Sequence, residues 1–285
     1  MAHHVQTGLV LLAMVGLFAA TGYVLLGAAG LAILIVVGFV MLLAVGRREL
    51  RVDTSMAQPL ATGDHAGIHG IADELTRKAE LPAKPEIYAV PVDEMNAATM
   101  GSESRPILAI TTPMLDRLTE RELRGIVAHE VSHLAQRDLA FFKLVTMLQV
   151  LTISVSRIGW LLLLLFWPIA LASGVRIPLF AIALLLGAPV LSVLLQTALS
   201  RARESSADLR AVELTRDPEG LAQALEKIDR HRENLWRQVL PVPQRRRKEG
   251  SVLSTHPAQE QRVEHLRDVL DTLGELLGLE EFVLV

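Results

Sequence analysis

The chain has 285 residues, 51% of them apolar, and its 28 Lys and Arg against 31 Asp and Glu give a formal net charge of -3. That balance excludes a nucleic-acid binder, which needs clustered positive excess, and a mean hydropathy of +0.38 with 21% charged residues excludes a disordered acidic or basic tail protein. The absence of cysteine removes disulfides, thiolate zinc sites, iron-sulfur clusters and a Cys nucleophile together, so a tight transition-metal site has only His and carboxylate ligands to draw on.

From Gly8 to Gly46 no residue is charged, and at 1.5 Å per helical residue this run is about twice the ~30 Å hydrocarbon thickness of a bilayer. It predicts a hairpin of two spans over 8–46, broken near Gly27-Ala28-Ala29-Gly30, where small residues permit a tight turn. A secretory signal peptide fits poorly, because the run is too long and lacks an N-terminal Lys or Arg. Residues 47–143 are polar and form the first part of an aqueous domain. Within them Asp64 can cap a helix over 65–79, and Glu86–Val90 and Ile107–Ile110, each short, apolar and bounded by prolines, read as strands. Thr112-Pro113 looks like an N-cap followed by proline at the first helical position. Thr119-Glu120-Arg121-Glu122 has capping-box spacing and opens a helix expected to run through Asp138.

That helix carries His129-Glu130-Val131-Ser132-His133, an H-E-x-x-H match. Residues four apart share a helical face, so both imidazoles can reach one tetrahedral Zn²⁺, while Glu130 points toward a water that it can deprotonate. With Glu122, Arg124, Arg137 and Asp138 nearby, the helix belongs in or beside water rather than deep in lipid. A chance match in a chain with nine His has a probability on the order of one or two per cent.

A second apolar region, 144–200, is interrupted by Arg157 and Arg176, and Ser173-Gly174-Val175-Arg176-Ile177-Pro178 reads as the turn of a second hairpin. Arg157 is expected near one end of a tilted span or against protein groups. Arg47, Arg48, Arg51, Lys143, Arg201 and Arg203 flank one side of the four spans and Arg176 alone the other, which puts both polar segments in the cytoplasm. The second polar part, 201–285, opens with Arg201-Ala202-Arg203-Glu204-Ser205-Ser206-Ala207-Asp208. Zinc needs a third protein ligand and an open position; Glu204 can supply the ligand and Asp208 can accept a hydrogen bond from a ligand imidazole, fixing its tautomer. An E-x-x-x-D helix alone is usually a solvated face, and its value here is its position after the fourth span. Asp217-Pro218 and His256-Pro257 each read as helix starts, for 218–232 and 257–277.

These features resemble the HtpX-like family of membrane zinc metalloproteases, gluzincins related to the prenyl-protein (CaaX) endopeptidases. The likeness spans the leading apolar hairpin, Asn96-Ala97 ahead of a strand, His129-Glu130-x-x-His133, the second hairpin, Glu204-x-x-x-Asp208 and Thr255-His256-Pro257. It implies a mainly α membrane protein, with four transmembrane helices in two hairpins plus a cytoplasmic α+β zincin-like metalloprotease domain with a small sheet. It also implies one Zn²⁺ per chain held by His129, His133 and Glu204, with Glu130 as general base and Asp208 behind a ligand. His256 corresponds to a histidine that helps stabilise the tetrahedral oxyanion, and Arg262 to an arginine that follows it; Arg262 and Asn96 are expected to contact substrate, the alternatives being a pair with Glu260 on its own helix for Arg262 and a turn role for Asn96. Asn96-Ala97-Ala98-Thr99 departs from the family in lacking an aromatic residue after Asn-Ala.

The activity implied is peptide-bond hydrolysis, in stress response and quality control of misfolded membrane proteins, at the inner membrane with the active site on the cytoplasmic side. The partners are protein or peptide substrates and the bilayer, with no nucleic acid. The run Ile107, Leu108, Ala109 and Ile110 is expected to offer a free strand edge on which an extended substrate adds. Two rivals remain: an intramembrane site-2-type metalloprotease, which expects the motif inside a lipid-embedded helix, and a catalytically silent metal-binding scaffold or chaperone. His65 and His69 read as surface or capping residues, and His231 and His265 as exposed ones in charged helices. Arg245-Arg246-Arg247-Lys248 is read as a loop attracted to anionic headgroups.

Overall fold

A computed structural model describes residues 2–47, 57–61, 63, 67–101, 104–136, 138–174, 178–239 and 262. In chain order the elements are α1 (Ala2–Arg47), β1 (Gln58–Pro59), α2 (Ile68–Lys78), β2 (Glu86–Val90), β3 (Ala97–Gly101), β4 (Pro106–Thr111), α3 (Thr112–Arg117), α4 (Glu120–Ala135), α5 (Asp138–Ala172), α6 (Leu179–Thr215) and α7 (Pro218–Val239). They form two compact units. Residues to 49 and 140–202 belong to one, and residues 50–139, with most of those from 203 onward, to the other.

The first unit is helical and apolar on nearly every face. Among the described residues three helices are long and apolar enough to cross a bilayer, at Thr7–Leu25, Leu144–Ala172 and Leu179–Thr215. The expected break after the first falls at Gly27, whose φ of 63° and ψ of -146° lie outside the helical region and need a residue without Cβ; helix then resumes to Arg47. Ser173 and Gly174, the latter at φ 69°, turn the chain after α5 as expected. Met14, Val145, Leu148 and Leu199 pack together inside the unit, whereas Leu161, Leu164, Leu165, Phe166 and Ile169 are exposed, as lipid-facing residues would be. Three buried threonine hydroxyls turn back on their own helices: Thr21, Thr152 and Thr197 each donate to the carbonyl four residues earlier, whereas the buried Ser156 and Ser192 hydroxyls meet no partner among the described residues. No bilayer water is then needed to satisfy the three threonines. Arg157 lies on the exposed face of α5, beside Ile158.

The second unit is built around α4. Thr119 caps it with a complete capping box: the Glu122 carboxylate accepts from the Thr119 backbone N–H at 2.7 Å, and the Thr119 hydroxyl accepts from the Glu122 N–H. Lys227 of α7 also donates to that carboxylate at 2.7 Å, so Glu122 is buried and paired rather than solvated. The helices α2 and α7 and strand β3 pack on α4. Gly125 permits the close approach of α7, because a Cβ there would lie 2.8 Å from the Leu221 Cα. Arg121 donates two bonds of 2.6 Å to Asp217, which caps the start of α7 by accepting from Gly220. The core beneath contains Ile68, Leu75, Leu108, Ile110, Met114, Val127, Val131, Leu221 and Leu225.

The sheet has the order β1-β2-β4-β3. The strands β2 and β4 are parallel, with Glu86 opposite Ile107, and β3 is antiparallel to β4, with Ala97 opposite Ile110. The reading of Ile107, Leu108, Ala109 and Ile110 as a free edge is therefore wrong: β4 is hydrogen-bonded on both sides, which is why its apolar residues could be buried. The strands β1 and β3 escaped sequence analysis, the first because it is two residues long and ends in Pro59, the second because Ala97-Ala98-Thr99-Met100-Gly101 has neither alternation nor β-branched density. Helix boundaries moved too. The cap of α2 is Gly67, at φ 107°, with Asp64 outside the described residues. The cap of α3 is Thr111, one residue earlier than expected. The helix α4 closes at Ala135, and Asp138 begins α5 instead. The expected helix over 257–277 lies outside the described residues except for Arg262, which is helical.

Two glycines test this packing. Gly125→Ala should destabilise the protein by about 1–3 kcal/mol through overpacking against Leu221. Gly70→Ala, in an exposed turn of α2 with open space around it, should stabilise by up to about 1 kcal/mol. Denaturant unfolding of the detergent-solubilised protein, followed by circular dichroism, reads both, and equal effects would contradict the α4–α7 contact.

Candidate metal centre

The α4 helix presents His129 and His133 on one face, one turn apart, with rings edge to face and centroids 4.7 Å apart. Their Nε2 atoms are 3.1 Å apart. Two imidazole lone pairs cannot point at each other at that distance, so a proton or a cation must lie between them. Glu204, from the polar end of α6, completes the group, with Oε2 3.5 Å from His129 Nε2 and Oε1 3.8 Å from His133 Nε2. One ligand atom from each residue lies within 4.8 Å of the others. Tetrahedral ligands at about 2.0–2.2 Å from zinc sit roughly 3.3–3.5 Å apart, so this N, N, O set fits an ion of that size.

Behind the ligands Asp208, one turn after Glu204, has Oδ1 2.9 Å from His129 Nδ1. A carboxylate there accepts Nδ1–H and leaves the Nε2 lone pair free to face the group's centre. Arg262 binds the same carboxylate with two bonds, Nε to Oδ2 at 2.8 Å and Nη2 to Oδ1 at 2.6 Å, and its Nη1 is 3.3 Å from Glu204 Oε2. Glu130, Glu204, Asp208 and Arg262 are all buried. With neutral imidazoles, three carboxylates against one guanidinium leave a formal excess of two negative charges, which a divalent cation cancels. The surroundings shift the two histidines in opposite directions. Burial pulls the His129 pKa down, but hydrogen bonds to Asp208 and Glu204 outweigh it and raise it to about 9. Burial and the neighbouring charge of His129 push His133 down to about 4.

Of the residues singled out from sequence, His129, His133, Glu204, Asp208 and Arg262 meet here, and Glu130 is buried between the two histidines in the chain. His256 lies outside the described residues. Asn96 is exposed just before β3, its N–H donating to the Thr111 hydroxyl at 2.9 Å, and Ile107, Leu108, Ala109 and Ile110 are in the middle of the sheet. Arg262, read from sequence as a substrate contact or a surface pair, has its guanidinium engaged by two buried carboxylates. His69 has Nε2 3.1 Å from the Leu60 carbonyl, a structural tie rather than a ligand, and His65 lies outside the described residues. Sequence analysis missed Gln136, which ends α4: its carbonyl accepts from Arg203 at 3.0 Å and its side chain accepts from Ser206 at 2.9 Å. Both partners lie on the α6 turns that carry Glu204, so the polar clamp joins the same two helices as the ligands. Its only sequence signal is a Gln three residues after the last motif histidine.

Comparison with known proteins agrees with this geometry. Residues 63–270 match the model of peptidase family M48. A protease HtpX homolog of Methylibium petroleiphilum is 33% identical, over 92% of this chain and 95% of that protein. One from Persephonella marina is 28% identical over 96% and 100%, and one from Streptococcus agalactiae serotype III is 31% identical over 90% and 92%. The crystal structure of S. mikatae Ste24p aligns with a TM-score of 0.51 at 17% identity and covers 89% of this chain; the alignment spans 61% of that longer chain and shows a shared fold. By sequence, fold and the clustered His-His-Glu group, the chain belongs to peptidase family M48 and is a membrane metalloprotease of the HtpX type.

Proposed function

We propose that this protein is an integral-membrane zinc endopeptidase in which His129, His133 and Glu204 hold one Zn²⁺ and Glu130 is the general base. The observation that carries the reading is the convergence of the three ligand atoms within 4.8 Å of one another, from helices far apart in sequence. Zn²⁺, when bound, supplies Lewis acidity that polarises the scissile carbonyl and favours deprotonation of water. Glu130 takes the proton from the attacking water and passes it to the leaving amine, so the products are a carboxylate and an amine. Asp208 holds the His129 ring in the tautomer that keeps Nε2 unprotonated, and Arg262 holds Asp208. His256, through its family correspondence, donates to the carbonyl oxygen as charge develops on it.

An extended substrate adds as a further strand on β3, at Ala97–Gly101, rather than on Ile107–Ile110. The supporting facts are that β3 is the terminal strand of the sheet, that it packs on α4, and that no described strand pairs with its outer side. The opposite edge is two residues long and blunted by Pro59, which cannot donate a ladder hydrogen bond. Backbone pairing reads few side chains, so selectivity is broad, as suits misfolded membrane and cytoplasmic proteins. The reading includes four spans, an inner-membrane location and a cytoplasmic active site, supported by the excess of Arg and Lys beside one set of span ends. The site-2-type alternative is disfavoured because α4 is not among the described helices apolar enough to cross a bilayer.

Glu130→Gln in purified, zinc-loaded protein should retain zinc yet lose casein cleavage and self-cleavage by on the order of 10²–10⁴-fold; retained cleavage refutes the base assignment. Glu204→Ala should lose stoichiometric zinc by elemental analysis, and undiminished zinc would remove Glu204 from the ligand set. Because His129 in the metal-free protein keeps its proton up to about pH 9, zinc must displace it at neutral pH. Affinity should therefore rise about tenfold per pH unit toward 9, with about one proton released per zinc. Calorimetric titration at pH 7 in two buffers of different ionisation enthalpy measures that release, and no proton release would contradict it.

A further inference from the structure

We infer that His231, outside the metal centre, is a positioning residue for substrate: it pins the segment that leads into β3. The inference rests on the reading of β3 as the substrate strand. His231 sits on α7, partly buried, between two partners. Its Nδ1 is 2.7 Å from Arg117 Nη1, at the end of α3, and its Nε2 is 2.6 Å from the Asp93 carbonyl. A guanidinium only donates and a carbonyl only accepts, so the ring is held as the tautomer with hydrogen on Nε2, accepting from Arg117 and donating to Asp93. One side chain thereby ties three elements of the second unit: α3, α7 and the β2–β3 connection.

The connection 91–96 needs such a tie. Pro91, Val92, Asp93, Glu94 and Asn96 are exposed, and only Met95 enters the core. At its ends the anchors are local: the Thr112 hydroxyl donates to the Val90 carbonyl at 3.4 Å, and Asn96 and Thr111 exchange bonds of 2.9 and 3.0 Å. Between those ends, among the described residues, the His231 bond is the one that reaches across from another element. An edge strand that must accept a partner backbone in register gains affinity from being ordered beforehand, since ordering it on binding costs conformational entropy. His231 touches none of the metal-centre residues, so its contribution belongs in substrate affinity and not in the chemical step.

The test compares full-length, zinc-loaded wild type, His231→Ala and His231→Gln in detergent, with a quenched-fluorescence casein-derived peptide as substrate. Elemental analysis and amide hydrogen exchange over residues 92–101 accompany the kinetics. Gln is chosen because its amide can both donate to Asp93 and accept from Arg117. The expected result for His231→Ala is faster exchange over 92–101 and a three- to tenfold rise in KM, the scale of one lost hydrogen bond, with kcat and zinc content unchanged and both effects reversed in His231→Gln. Wild-type exchange and KM in His231→Ala overturn the inference and leave the β3 reading intact. Faster exchange with unchanged KM overturns the β3 reading and the inference with it. A fall in kcat or zinc shows a general structural role and overturns the positioning one.

Discussion

Three carboxylates buried beside a single guanidinium organise the unit that carries the candidate metal centre. Glu130, Glu204 and Asp208 are buried with one guanidinium, Arg262, for company. Buried unpaired charge is costly enough that the surrounding chain must either keep a proton there or bind a cation. Burial lowers the His129 pKa, but its hydrogen bonds to Asp208 and Glu204 outweigh that and raise it to about 9, while the Nε2 atoms of His129 and His133 converge to 3.1 Å, where a cation can be shared. The same logic accounts for Arg262: without it Asp208 would be a second buried anion with only an imidazole N–H to offset it.

Holding that charge cluster together requires rigid supports, and α4 provides the main one. Its first turn is closed by the capping box and by Lys227 on Glu122, its middle is pressed against α7 through Gly125, and its C-cap, Gln136, is clamped to α6. The clamp and the ligands use different faces of α6, since Arg203 and Ser206 lie on one side and Glu204 and Asp208 on another. Two contact lines between a pair of helices fix both separation and rotation, whereas one would leave a hinge. The histidine pair is therefore placed by polar contacts that do not involve the ion. The order of the sheet leaves β3 outermost, on the side packed against α4, which is where the proposed substrate strand would add.

Much of this was legible in the chain because it depends on local spacing. Helical periodicity puts His129 and His133 on one face whatever surrounds them, a capping box involves residues three apart, and a long uncharged run must avoid water. The Gly27 break, the α4 start and the strands β2 and β4 follow from such short-range rules. Local rules failed where a property belongs to partners distant in sequence. Glu122 and Arg262 look like surface charges until Lys227 and Asp208 are brought to them, and His231 looks solvated until Arg117 and Asp93 meet it. Ile107–Ile110 was taken for an edge because a run of apolar residues says that a strand exists and nothing about how many neighbours it has.

The sequence by itself determined the ingredients: apolar lengths sufficient to cross a bilayer, a helix with two imidazoles in metal-binding register and a carboxylate next to the first of them, and a later carboxylate pair one turn apart. These follow from the rise and period of the helix and from transfer energies, which act residue by residue. Only the tertiary structure decided that Glu204 lies 3.5 Å from His129, that Arg262 neutralises Asp208, and that β3 rather than β4 offers its outer edge. Those facts depend on long-range contacts that bury apolar surface and bring opposite charges together, and such contacts are set by the fold of the unit and by no segment alone.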